Sequence, residues 1–102
     1  MGTRQVIEGR QYQGVDEAIA YAVTTTPWGS EPTSVSVKAY DLSTNKADVS
    51  STVLSGTPSV AGDVITLPLL TALVDGHRYR VEVKWVSSGN TFECWFEVQA
   101  EW

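Results

Sequence analysis

The sequence predicts an all-β sandwich, on three observations. Apolar and polar residues alternate with a period of two through the C-terminal third. Turn residues recur about every eight to twelve positions between short strand-like runs, and no stretch carries a convincing amphipathic helical period. With 102 residues, 42% of them hydrophobic and 19% charged, the chain is sized for one domain around one core.

A short strand is expected over residues 5–8, at a sheet edge where a terminus is tied down. Residues 9–14 read as a flexible joint, too near the end to divide domains. The chain is therefore expected to be a single domain over residues 1–102, with residues 1–16 an N-terminal arm or edge strand. Over residues 18–25, Ile19, Tyr21 and Val23 alternate with Ala18, Ala20 and Ala22. The β-branched run Val23-Thr24-Thr25-Thr26 and the following Pro27 favour a strand over the helix that the alanines would allow.

Pro27-Trp28-Gly29-Ser30-Glu31-Pro32 is a turn-rich loop. Residues 33–41 alternate again, with Val35, Val37 and Ala39 opposite Ser34, Ser36, Lys38 and Tyr40. Residues 42–46 form a polar loop and residues 48–54 a weaker extended piece. Two further strands follow at 57–60 and 64–70, split at Ala61-Gly62-Asp63.

The strongest pattern starts at Tyr79. Tyr79, Val81, Val83 and Trp85 form one face, and Arg78, Arg80, Glu82 and Lys84 the other, as in a half-buried antiparallel strand. After the turn cluster Ser87-Ser88-Gly89-Asn90, the alternation resumes. Phe92, Cys94, Phe96 and Val98 face in, while Thr91, Glu93, Trp95, Glu97 and Gln99 face out, which makes a hairpin. Upstream, Leu73-Val74-Asp75-Gly76-His77-Arg78-Tyr79 has the L-x-x-G-x-x-Y spacing of a structural corner. Leu73 plugs the core, Gly76 permits the turn, and the Tyr79 hydroxyl bonds back to upstream backbone. The fold expected is thus an immunoglobulin-like or fibronectin-III-like β-sandwich of about seven antiparallel strands.

Little in the sequence points to catalysis. His77 sits in the corner turn as a solvated loop residue, and Cys94 lies between two inward Phe, where a free Cys is a small buried hydrophobe. A nucleophilic thiol needs a nearby His and an exposed electropositive setting. Asp16 and Glu17 are adjacent, so an extended chain points them to opposite faces. No phosphate loop, metal-ligand spacing or Ser/His/Asp arrangement appears, so no catalytic, cofactor-binding or metal residues are assigned. One Cys excludes an internal disulfide framework. A net charge of 7 − 12 = −5 argues against binding a phosphate backbone. No apolar run approaches the ~20 residues of a membrane span. Nucleic acid and membrane are accordingly not expected as partners.

The aromatic residues carry more information. Of four Trp, Trp85 belongs to the core. Trp95 falls on the outward face of the last strand, Trp28 in a loop and Trp102 at the last position. Trp95 with Val86 is the better candidate contact patch, and Trp28 and Trp102 are further interface candidates. Trp28 packed under its loop and Trp102 covering the open end of the sandwich are the structural alternatives. Exposed aromatics also stack on sugar rings, so a carbohydrate-binding or cell-surface recognition module is the second function class, and a Cys94 thiol enzyme a third.

Residues 19–101 resemble small immunoglobulin-like structural proteins of tailed bacteriophages and prophages. The resemblance is carried by Ile19-Ala20-Tyr21-Ala22-Val23-Thr24-Thr25-Thr26-Pro27-Trp28-Gly29 leading into Pro32-Thr33-Ser34-Val35-Ser36-Val37-Lys38. It continues in Val53-Leu54-Ser55-Gly56-Thr57-Pro58-Ser59-Val60, in Gly62-Asp63-Val64-Ile65-Thr66-Leu67-Pro68, and in the corner leading into Arg80-Val81-Glu82-Val83-Lys84. These are strand and turn phrases, so they imply a fold and no catalytic residue set. The resemblance implies a non-enzymatic virion structural protein, a capsid decoration or a head-tail or tail accessory subunit, with a lean towards the head. Its partners are then other virion proteins (shell, neck or tail subunits), with self-assembly in the particle. Exposed edge strands offer a route to such contacts by β-augmentation. No secretory-type apolar stretch follows Met1-Gly2-Thr3-Arg4, so synthesis in the host cytoplasm and location in the virion are expected.

Overall fold

The computed structural model describes residues 3–5, 11–25 and 31–101. Two sheets carry the fold. One has the order β1 (Thr3–Gln5), β10 (Asn90–Glu101), β9 (Arg78–Ser87), β4 (Thr33–Asp41), β5 (Ala47–Asp48), with β2 (Gln11–Gly14) also on β10. The other has the order β3 (Ile19–Thr24), β8 (Val64–Leu70), β6 (Leu54–Ser55), with β7 (Ser59–Ala61) also on β8. We call them the β10 sheet and the β8 sheet.

The β9–β10 hairpin is the backbone of the fold because its sequence alternates without a break. Tyr79, Val81, Val83 and Trp85 are buried, as are Cys94, Phe96, Val98 and Ala100 opposite them. Its two-residue turn places Ser88 at φ 50° and Gly89 at φ 81°, the left-handed pair that matches the twist of the flanking strands. From the β8 sheet, Val23, Ile65, Leu67 and Leu70 complete the core, together with Val53 and Leu73. Pro68 lies inside the central strand β8, a position that normally forfeits a ladder hydrogen bond. The register against β3 slips there, between Ala20/Leu69 and Ala22/Thr66, so the bulge absorbs the missing N–H.

Several expectations need correction. The described residues form ten strand segments rather than about seven, and β1 and β2 run parallel to β10 instead of antiparallel. Residues 11–14 are not a joint but strand β2, anchored on β10 by four register pairs from Val98–Gln11 to Glu101–Gly14. Residues 48–54 are not extended: β5 and β6 flank a single helical turn, α1 (Ser50–Val53). The Asp48 carboxylate accepts from the Ser50 N–H (3.0 Å) and hydroxyl (2.7 Å), and this local bonding holds the chain out of a ladder. The strand expected at 57–60 is β7, shifted to Ser59–Ala61. The strand expected at 5–8 lies outside the described residues except for Gln5, the last residue of β1.

Candidate functional site

Trp95 and Val86, the residues expected to form a contact patch, both lie on the outward face of the β10 sheet. Period-two alternation puts Ser36, Lys38 and Tyr40 of β4, Arg80, Glu82, Lys84 and Val86 of β9, and Glu93, Trp95 and Glu97 of β10 on this face. The register sets Lys38 opposite Glu82, Lys84 opposite Glu93, and Arg80 opposite Glu97. Arg80 Nε lies 2.8 Å from Glu82 Oε2, and Lys46 reaches the same oxygen at 4.0 Å. Lys46 also sits 5.1 Å from the Tyr40 ring centroid. A groove of about 220 Å³ runs across this face between Lys38, Tyr40, Glu82, Lys84 and Glu93, with both signs of charge along it.

Trp95 is half-buried, and the Arg80 guanidinium lies over its ring at 4.2 Å from the centroid. That contact satisfies the ring quadrupole and the cation together. Trp95 pairs with Glu82 across the ladder, and Val86 pairs with Thr91. The Lys84–Glu93 pair therefore lies between them, and Trp95 and Val86 share a face without forming a contiguous patch. Trp28 and Trp102 lie outside the described residues.

The corner residues come together at the other end of β9. Leu73 is buried, Gly76 turns the chain at φ 82°, and the Tyr79 hydroxyl accepts the Val74 N–H at 2.8 Å. Beside it stands a group that the sequence reading passed over. The Asp41 carboxylate is buried at the end of β4 and accepts from Ser43 N–H (2.9 Å), the Thr44 hydroxyl (3.1 Å) and His77 Nδ1 (2.8 Å). Burial pushes the Asp41 carboxyl up, but the His77, Ser43 and Thr44 bonds outweigh it, and the net shift is downward. His77 is thus a half-buried partner of Asp41 rather than a solvated loop residue. Cys94 is fully buried and in no disulfide. Among the described residues, no three His, Cys, Asp or Glu side chains cluster closely enough to hold a metal ion.

The outward face of the β8 sheet has the opposite character. Ala20, Ala22 and Thr24 of β3 stand beside Leu69, Thr66 and Val64 of β8, which in turn stand beside Ser55 of β6 and Ser59 and Ala61 of β7. None of these nine side chains is charged, most are small, and Leu69 is 42% exposed in the middle. One sheet thus shows water a ladder of paired charges, and the other a neutral surface. A signal for this was present in the sequence: β3, β7 and β8 contain no Asp, Glu, Lys or Arg.

Comparison with known proteins returns no matching family model, no matching curated protein and no matching solved structure.

Proposed function

We propose that this chain is an immunoglobulin-like sandwich that works as a non-enzymatic structural subunit of a tailed-phage or prophage virion. It would serve as a capsid decoration or a head-tail or tail accessory protein. Two features support the immunoglobulin assignment. The sheet memberships β4-β9-β10 and β3-β8-β6 follow the C-F-G and B-E-D arrangement of that fold, and a Tyr hydroxyl closes the corner before β9.

The observation that carries the assembly reading is the contrast between the two sheet faces. Uncharged side chains cost little to desolvate, so the β8 face is suited to lie against a neighbouring subunit. The charged β10 face loses paired ions if it is covered, and suits the side left in water. For a carbohydrate-binding reading, Trp95 itself offers no bare platform, because Arg80 lies over its ring. The virion assignment itself rests on the resemblance of the strand and turn phrases to those of phage structural proteins.

Quantitative mass spectrometry of purified particles, read as copies relative to the major shell protein, tests this. A ratio near that of the shell protein supports head decoration, and one small ring per particle supports the neck or tail. Complete absence from particles overturns the virion reading.

A further inference from the structure

β3 is an edge strand of six residues among those described, and it carries no charge, Pro or Gly. Among the described residues, β8 is its only neighbour. The Thr25 N–H donates to the Asp63 carbonyl at 2.7 Å, which fixes the direction of the backbone groups before it. Along an antiparallel strand these groups alternate between the two edges. Ile19 and Val23 therefore bond towards β8, and Ala20, Ala22 and Thr24 turn their N–H and C=O groups to the open side.

Edges are commonly blunted by shortness, by charge or by Pro. The other edge strands are short: β1 and β7 have three residues, β2 has four, and β5 and β6 have two. β5 also carries Asp48. β3 has six residues, Ile19-Ala20-Tyr21-Ala22-Val23-Thr24, with no charge, Pro or Gly.

We infer that β3 is the edge through which two copies of this chain pair, antiparallel about a twofold axis, into one continuous sheet. The strand's own chemistry selects a second copy as the occupant. Pairing centred on Ala22 sets Ala22 opposite Ala22 and Ala20 opposite Thr24, side chains small enough to crowd nothing. The twofold keeps the Ile19, Tyr21 and Val23 faces of both copies on one side. Ile19 and Tyr21, each half-exposed in one chain, are then covered by the other. The interface is isologous and closes at two copies. Charge points the same way. A chain of net charge −5 repels its copy, and this strand and the adjoining β8 face bring no like charges into contact. The inference goes beyond the proposed function, because it names which edge strand pairs and the symmetry of the pairing, where the virion reading leaves self-assembly unspecified.

Sedimentation equilibrium and light scattering on the purified chain, from micromolar to millimolar, test it. The expected result is a species of twice 11.1 kDa that dissociates on dilution. Ala22→Lys, which sets two ammonium groups face to face, is expected to be monomeric with an unchanged circular dichroism spectrum. Thr24→Lys, on the same edge, is the second variant should Ala22→Lys not fold. Amide exchange at Ala20, Ala22 and Thr24 is expected to slow as concentration rises. A wild-type chain that stays monomeric throughout overturns the inference, as does a dimer that persists in a folded lysine variant. A dimeric chain missing from virions would refute the virion reading and leave this inference standing, and a monomeric chain abundant in virions would do the reverse.

Discussion

The Gln13 side-chain amide donates to the Leu70 carbonyl at 2.6 Å, from a residue that is completely buried. The same nitrogen donates to the Glu17 carbonyl at 3.0 Å, and Gln13 Oε1 accepts the Tyr21 hydroxyl at 3.0 Å. Gln13 sits on β2, which pairs with the β10 sheet, while Tyr21 and Leu70 belong to the β8 sheet. One side chain thus ties the N-terminal edge strand of one sheet to the two longest strands of the other. Burial, and secondarily Glu17, raise the Tyr21 hydroxyl above its ordinary value, so it stays a donor at neutral pH.

Gln13→Ala leaves the buried Leu70 carbonyl and the part-buried Tyr21 hydroxyl without this partner. A buried polar group left unpaired costs about 1–3 kcal/mol, and a cavity is opened as well. The urea midpoint is expected to fall by the equivalent of about 2 kcal/mol or more, and the β2 amides to exchange faster than those of β9. An unchanged midpoint would show that water replaces the network at no cost.

Tyr79→Phe removes only the hydroxyl that accepts from Val74. The expected loss is about 0.5–1.5 kcal/mol, the net value of one hydrogen bond. Equal urea midpoints for wild type and variant would remove the corner bond from the stability account.

Asp41 gives the fold an acid-sensitive point. Its folded-state carboxyl lies below the ordinary value of 3.8, so the unfolded chain takes up the proton first as pH drops. The contribution is fully present above 3.8 and is lost as pH falls from there through the lower folded value. Asp41→Asn is expected to be less stable than wild type at neutral pH and to show a flatter stability profile in acid. Asp48 shifts in the same direction, through the Ser50 N–H and hydroxyl, but it is exposed and its share is small. A wild-type profile in acid that superimposes on that of Asp41→Asn would contradict the assignment.

Arg80→Ala uncovers the Trp95 ring. The expected loss is about 0.5–1 kcal/mol, the range of a cation–aromatic contact near the surface, together with a shift of tryptophan emission to longer wavelength. Arg80→Lys is expected to restore part of the stability. Emission unmoved in Arg80→Ala would mean that the guanidinium does not cover the ring in solution.

The β9–β10 hairpin was legible in the sequence because each residue faces either core or water, and Val81, Val83, Trp85, Cys94 and Phe96 record that choice without interruption. Gln13 was not legible. It is a polar side chain in a core position, and the short, polar Gln11–Gly14 strand has no apolar alternation to distinguish it from a joint. The helical turn at Ser50–Val53 was obscured by its length, since four residues hold too little periodicity to separate helix from strand. Asp41 ends a strand whose Val35, Val37 and Ala39 were read correctly, yet its partners lie 36 residues away at His77 and in the adjoining turn. The neutral β8 face was present in composition but divided among four separate strand runs, and only the sheet order assembles it.

The most direct measurement of the central claim is hydroxyl-radical footprinting of the chain within its native particles against the free chain, read by mass spectrometry at Leu69 and Trp95. The account predicts that Leu69 is protected in the assembly while Trp95 and Tyr40 label as they do in the free chain. Protection of Trp95 and Tyr40 with Leu69 left reactive would place the contact on the charged face and contradict the account.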